Sequence, residues 1–110
     1  MAEKIKLVQG DTRPAIVCTI TDETSGSAID LTDAVPVLKF RAAGDTVLTA
    51  TITGTIIDPL LGTCVFHPAS DPAMLAGEPG DYEGEIEITF SGGQVQTVYD
   101  VIKFKLREDF

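Results

Sequence analysis

The stretch "DYEGEIEITF" (residues 81 to 90) alternates with period two. Tyr82, Gly84, Ile86, Ile88 and Phe90 take one side, and Glu83, Glu85, Glu87 and Thr89 the other. Successive side chains of a β-strand point to opposite faces, so this pattern sets one face in a core and one in water. Ser91-Gly92-Gly93 follows as a hairpin connection, because glycine accepts positive φ, and the segment 93 to 109 is expected to return antiparallel. Along that segment Val95, Tyr99 and Val101 are odd whereas Ile102, Phe104 and Leu106 are even. A one-residue change of parity predicts a bulge or break near Asp100.

Upstream, "AIVCTITD" (15 to 22) puts Ile16, Cys18 and Ile20 on one face, and residues 23 to 27 form a turn. "PVLKFRAA" (36 to 43) sets Val37 against Leu38 and Phe40, and residues 44 to 57 and 62 to 68 supply two further strands. The one helical signal is "SDPAMLAGEPG" (70 to 80), where Asp71 caps, Pro72 suits the first helical position, and Gly77 and Pro79 stop the turn. Near the N-terminus, Gly10-Asp11-Thr12-Arg13-Pro14 separates two apolar runs. Gly10 supplies a bend, Asp11 is placed to accept from nearby amides, and Pro14 holds Arg13 extended, the chemistry of a strand passing between sheets. A phosphate-binding loop would need a GK[ST] ending and a following helix. The expectation is an all-β chain: a single Ig-like antiparallel β-sandwich of about seven strands with one short helical turn, spanning 1–110 as one domain.

Charge and cysteine content narrow the function classes. At −9, with a pI near 4.3, the chain lacks the clustered cations a phosphate backbone requires, so nucleic acid is excluded as a partner. Lys4, Lys6, Lys39, Arg41, Lys103, Lys105 and Arg107 recur at i, i+2 spacing, as on solvated strand faces. No apolar run approaches the ~18 residues of a membrane span, and "MAEKIKLVQG" lacks the apolar core of a secretory signal. The expectation is no membrane partner and synthesis in a cytoplasm. Cys18 and Cys64 fall in separate core-type runs without CxxC spacing and are expected as buried free thiols.

Catalytic chemistry finds little purchase. His67 is the one histidine and precedes Pro68 at a strand end. The serines Ser25, Ser27, Ser70 and Ser91 lie in turns, with no GxSxG elbow. Glu83, Glu85 and Glu87 stand ~7 Å apart along a strand, awkward for one cation, and suit a solvated face that discourages edge pairing. No enzyme activity, cofactor or metal is expected.

"QGDTRPAIVCTITD" (9 to 22), "AIDLTDAVPVLKFR" (28 to 41), "GDYEGEIEITFSGGQVQTV" (80 to 98) and the closing "IKFKL" (102 to 106), in that order, resemble the N-terminal domain family of phage baseplate upper proteins. The resemblance covers most of the chain. It implies an Ig-like sandwich, a structural role in a virion tail or baseplate, partners among other phage structural proteins, copies in a symmetric assembly, and no catalytic residues. A separate tail or neck protein and a capsid decoration protein stay open. So does a host-receptor or carbohydrate-binding module, for which Tyr99 is the aromatic candidate, since Trp is absent and Tyr82 faces inward. In "DPLLG" (58 to 62), where the family's turn is commonly polar, Leu60 and Leu61 sit at the tip. Leu60, Leu61 and Tyr99 are the partner-interface candidates, and residues 3 to 8 or those after Asp100 could add to a partner's sheet.

Overall fold

The computed structural model describes residues 5–11, 13–22, 24–98 and 101–109. Among them run nine strands: β1 (Ile5–Val8), β2 (Ile16–Thr19), β3 (Val35–Ala42), β4 (Ala50–Thr53), β5 (Thr55–Asp58), β6 (Thr63–Phe66), β7 (Gly80–Thr89), β8 (Val95–Thr97) and β9 (Ile102–Arg107). One sheet has the order β1-β9-β7-β3-β4, with β8 also paired to β7, and the other has the order β2-β6-β5. The alternation of β7 is realised as expected, with Tyr82, Gly84, Ile86 and Ile88 buried and Glu85 exposed. Leu38, Phe40, Ile52 and Phe104 from the larger sheet meet Ile16, Cys64 and Phe66 from the smaller. Leu31, Met74 and Leu75 fill in from the loops. Phe40 stacks on Tyr82 at 4.9 Å and meets the edge of Phe104 at 5.1 Å, contacts that add about 0.5–1.5 kcal/mol each beyond the area they bury. The chain is an all-β, Ig-like sandwich.

Several details differ from the pattern. The apolar run 44 to 57 is not one strand, because the chain changes sheet at Gly54. The Gly54 amide donates to the Pro36 carbonyl at 2.8 Å, and a Cβ there would lie 2.7 Å from a Phe66 ring carbon. Both halves of the run contribute core-facing residues, so the alternation conceals the crossing. The segment 93 to 109 is likewise two strands. Between Glu87↔Thr97 and Gly84↔Ile102, β7 covers three residues and its partner five, a two-residue surplus that leaves parity intact. Val95 and Val101 are therefore exposed rather than core residues. β-Branched side chains suit a strand on either face, which is why parity misled. Asp100, where the break was expected, lies outside the described residues.

β1 pairs parallel with β9, Ile5↔Phe104 to Val8↔Arg107, whereas an antiparallel sandwich was expected. Nearly the whole chain intervenes, and a parallel pair needs a long connection. The chain does pass from one sheet to the other between β1 and β2. The Gln9 amide donates to Arg107 O at 2.9 Å, the Gly10 amide to Leu75 O at 3.0 Å, and the Asp11 amide to Val8 O at 3.3 Å, with Gly10 at φ 76°. Backbone groups hold this corner, and among the described residues the Asp11 carboxylate accepts no hydrogen bond. Thr12 lies outside them. The helical signal resolves into two 3-10 turns, Pro68–Ser70 and Pro72–Leu75, the second capped by the Asp71 carboxylate accepting from the Ala73 amide at 3.2 Å.

Candidate interaction surface

The β5–β6 turn is built from its own polar groups. Asp58 Oδ1 accepts from the Leu60 and Leu61 amides at 3.2 and 3.3 Å, and the Asp58 amide donates to the Thr63 hydroxyl at 3.0 Å. The turn is then fastened to the loop that precedes β3. The Leu31 amide donates to Pro59 O at 2.9 Å and the Ile20 amide to Gly62 O at 2.8 Å. Gly62 adopts φ 67°, and a Cβ on it would stand 2.5 Å from Ile20 O and 3.0 Å from Ile29 O, so only glycine fits. With the backbone so engaged, Leu60 and Leu61 project outward, 70% and 60% exposed.

The turn continues an uncharged face. On the smaller sheet Val17, Val65 and Thr55 share one outward row, and Thr19 pairs with Thr63 in the next. A bulge between Ile56 and Asp58 leaves Ile57 outside the ladder, 56% exposed, while Val17 is 62% exposed. Among the outward positions of β2, β5 and β6, Asp58 alone carries charge, and the turn amides occupy one of its oxygens.

The larger sheet's outer face is the opposite case. Lys39 bonds Glu87 at 2.9 Å and Arg41 bonds Glu83 at 2.8 Å. Register also sets Glu83 opposite Lys103 and Asp81 opposite Lys105. The Glu87 carboxylate, through its hydrogen bond, holds the Lys39 ammonium above its ordinary range. These carboxylates line β7, which lies inside the sheet between β3 and β9, so they do not guard an edge as the sequence suggested; they match cations on both sides.

The chemistry-bearing side chains are dispersed. His67 is exposed where β6 enters the first 3-10 turn. Cys18 and Cys64 are free and face each other in register across β2 and β6; Cys64 is buried as expected, whereas Cys18, on the smaller sheet's edge strand, is only half-buried. Burial, with the opposite thiol adding to it, pushes Cys64 up to about 11, and burial also raises Cys18. Cys18 lines a cleft of ≈ 620 Å³ beside β2, otherwise faced largely by isoleucines, threonines and Val98. Tyr82 is buried, donates to Glu78 O at 2.6 Å, and is raised by that burial and then by the Glu78 charge. Among the described residues no group of three or more His, Cys, Asp or Glu is placed to hold a metal ion. Tyr99 lies outside the described residues. Sequence pattern singled out Leu60 and Leu61 but passed over Val17 and Ile57, whose outward direction depends on which strands pair.

Fold and surface together define an Ig-like sandwich with one charged and one uncharged outer face. In architecture it is similar to the N-terminal domain of phage TP901-1 ORF48, with a TM-score of 0.64 at 16% identity, covering 98% of this chain and 86% of that one. At that identity the likeness is one of fold. No family model matches the chain, and no curated protein matches it in sequence.

Proposed function

We propose that this chain is a non-enzymatic structural component of a phage virion, in the tail, baseplate or a related appendage, that works through fixed protein-protein contacts in a symmetric assembly. The observation that carries this is the fold shared with a phage protein's domain across nearly the whole length of both chains. The resemblance of the corner, Asp-Leu-Thr and Gly-x-Tyr segments to baseplate upper proteins supports the same structural role. The contact surface is the uncharged face with the Leu60–Leu61 turn. Burying a leucine side chain contributes about 1.5–3 kcal/mol, and symmetry repeats the contact.

The test is the particle itself. Purified virions should contain this chain in fixed copy number by quantitative mass spectrometry. Leu60→Asp with Leu61→Asp should leave the isolated protein's unfolding midpoint nearly unchanged, since both side chains are exposed, while reducing incorporation severalfold. Particles that lack the chain, or turnover of a small substrate by the purified protein, would sink the proposal.

A further inference from the structure

The cations are unevenly placed. From Ala42 to Ile102 the sequence contains no lysine or arginine, nor does it from Pro14 to Leu38. Six of the eight basic residues lie on the outer face of the larger sheet, and four of those, Lys6, Lys103, Lys105 and Arg107, fall on β1 and β9. Beside these two strands is a hollow of ≈ 600 Å³. Pro79 and Val8 supply its accessible apolar lining above the buried Leu7 and Leu106, and Lys6, Lys105 and Arg107 outweigh the one carboxylate there, Glu108.

The Leu60–Leu61 turn is the converse shape with the converse charge. Two exposed leucines protrude, and acidic residues lie in the turn and in the loop bonded to it. Asp58 lies in the turn itself, and Asp22, Asp30 and Asp33 lie in the loop to which the turn is hydrogen-bonded. The Thr32 hydroxyl holds the Asp30 carboxyl below its ordinary range. Hollow and turn sit at opposite ends of the sandwich, the hollow by Gly80 and the turn by the loop entering Val35, which pairs with Thr89. The ten residues of β7 separate those ends by roughly 30 Å. One molecule cannot fill its own hollow.

We propose that the Leu60–Leu61 turn of one copy seats in the β1–β9 hollow of a second copy, giving a head-to-tail contact that closes into a ring or extends into a stack. This rests on the assembly role above and names the partner as the chain itself. Such a contact is heterologous: each copy offers a different patch on each side. A hollow with more cations than carboxylates, facing an acidic loop beside an apolar knob, sets its orientation and makes it sensitive to salt.

Sedimentation velocity on the full chain tests it. Self-association should be present at low ionic strength and weaken at least about tenfold in ~0.5 M salt. Leu60→Asp with Leu61→Asp, and separately Lys6→Glu with Lys105→Glu, should each give a folded monomer. Should the charge reversal perturb the sheet, Lys6→Gln with Lys105→Gln should show the same loss more mildly. The decisive sample is an equimolar mixture of the two defective variants. It retains one good knob and one good hollow, and should form a one-to-one dimer and nothing larger. A chain that stays monomeric at every concentration, an association indifferent to the lysine pair, or a mixture of folded variants that stays monomeric overturns the contact. If particles nonetheless carry the chain at fixed copy number, the virion role survives and only the self-contact falls.

Discussion

The two outer faces of this sandwich are made by the same strand grammar and end up with opposite chemistry. On the larger sheet, opposite charges face each other across three strands, as in Arg41, Glu83 and Lys103. On the smaller sheet the corresponding rows are Val17, Val65, Thr55 and Thr19, Thr63. Both compositions suit extended backbone, so strand propensity does not explain the difference. Solvation does: paired charges are content in water, whereas Val17, Ile57, Leu60 and Leu61 are apolar and exposed, the surface on which the proposed contact rests. Alternation dictates what faces the core and leaves the other side free for function.

The sharpest way to break this comparison is at Gly62. The uncharged face keeps its knob only while the turn stays seated on Ile20 and Ile29, and a Cβ at Gly62 meets both carbonyls. Gly62→Ala should cost about 3 kcal/mol or more, from left-handed backbone strain plus the displaced loop. Denaturant unfolding measures it. A loss under about 1 kcal/mol would mean that the turn is loosely held and that the knob is not preformed.

Much of this architecture was legible beforehand, and the limits have a physical cause. Parity along β7, the cap at Asp71 and the corner at Gly10 are local: each depends on residues within a few positions, and each appears in the structure. Partner choice is not local. Nothing in "IKLV" announces that β1 lies parallel to β9, or in "TATITGTII" that Gly54 passes under Phe66 between sheets. Val95 and Val101 have the composition of core residues, and only the β7 register shows them outward. The candidate surface divides in the same way. Leu60 and Leu61 stood out because a turn tip is exposed by its nature, while Val17 and Ile57 needed the sheet order, and the positive hollow needed β1 beside β9.

A second test probes the inner side of the uncharged sheet, where Cys64 faces Cys18. Burial raises the Cys64 thiol from 9.0 to about 11. The folded state therefore favours the protonated form. The associated stability is complete below pH 9 and is lost as pH rises through about 11, an effect on the order of 2 kcal/mol. Buried Tyr82 is shifted in the same direction, so the informative quantity is the difference between the wild-type and Cys64→Ala stability curves. The variant should start lower at pH 7, from the small cavity, and lose less between pH 9 and 11. Parallel curves would place the Cys64 thiol in contact with solvent. At pH 8 the buried Cys64 thiol should react slowly with an aromatic disulfide reagent until the protein is unfolded, and the half-buried Cys18 should react before it.

The smallest expected effect belongs to the charged face, and its smallness is the point. Glu87→Gln removes the partner of Lys39, yet the pair is part-exposed, and such ion pairs contribute about 0–1 kcal/mol. The unfolding free energy should fall by no more than this at low salt, and the difference should vanish near ~0.5 M salt, where screening shortens the reach of exposed charges to a few ångströms. The Lys39 ammonium, held up chiefly by its hydrogen bond to Glu87, should titrate lower in the variant, which NMR of the lysine side chain would detect. Incorporation into particles should be unchanged, because Glu87 lies neither on the uncharged face nor in the hollow. A loss of several kcal/mol, or one that salt does not reduce, would make the charge ladder part of what holds the larger sheet together. The contrast between a face that merely tolerates water and the proposed contact face would then have to be withdrawn.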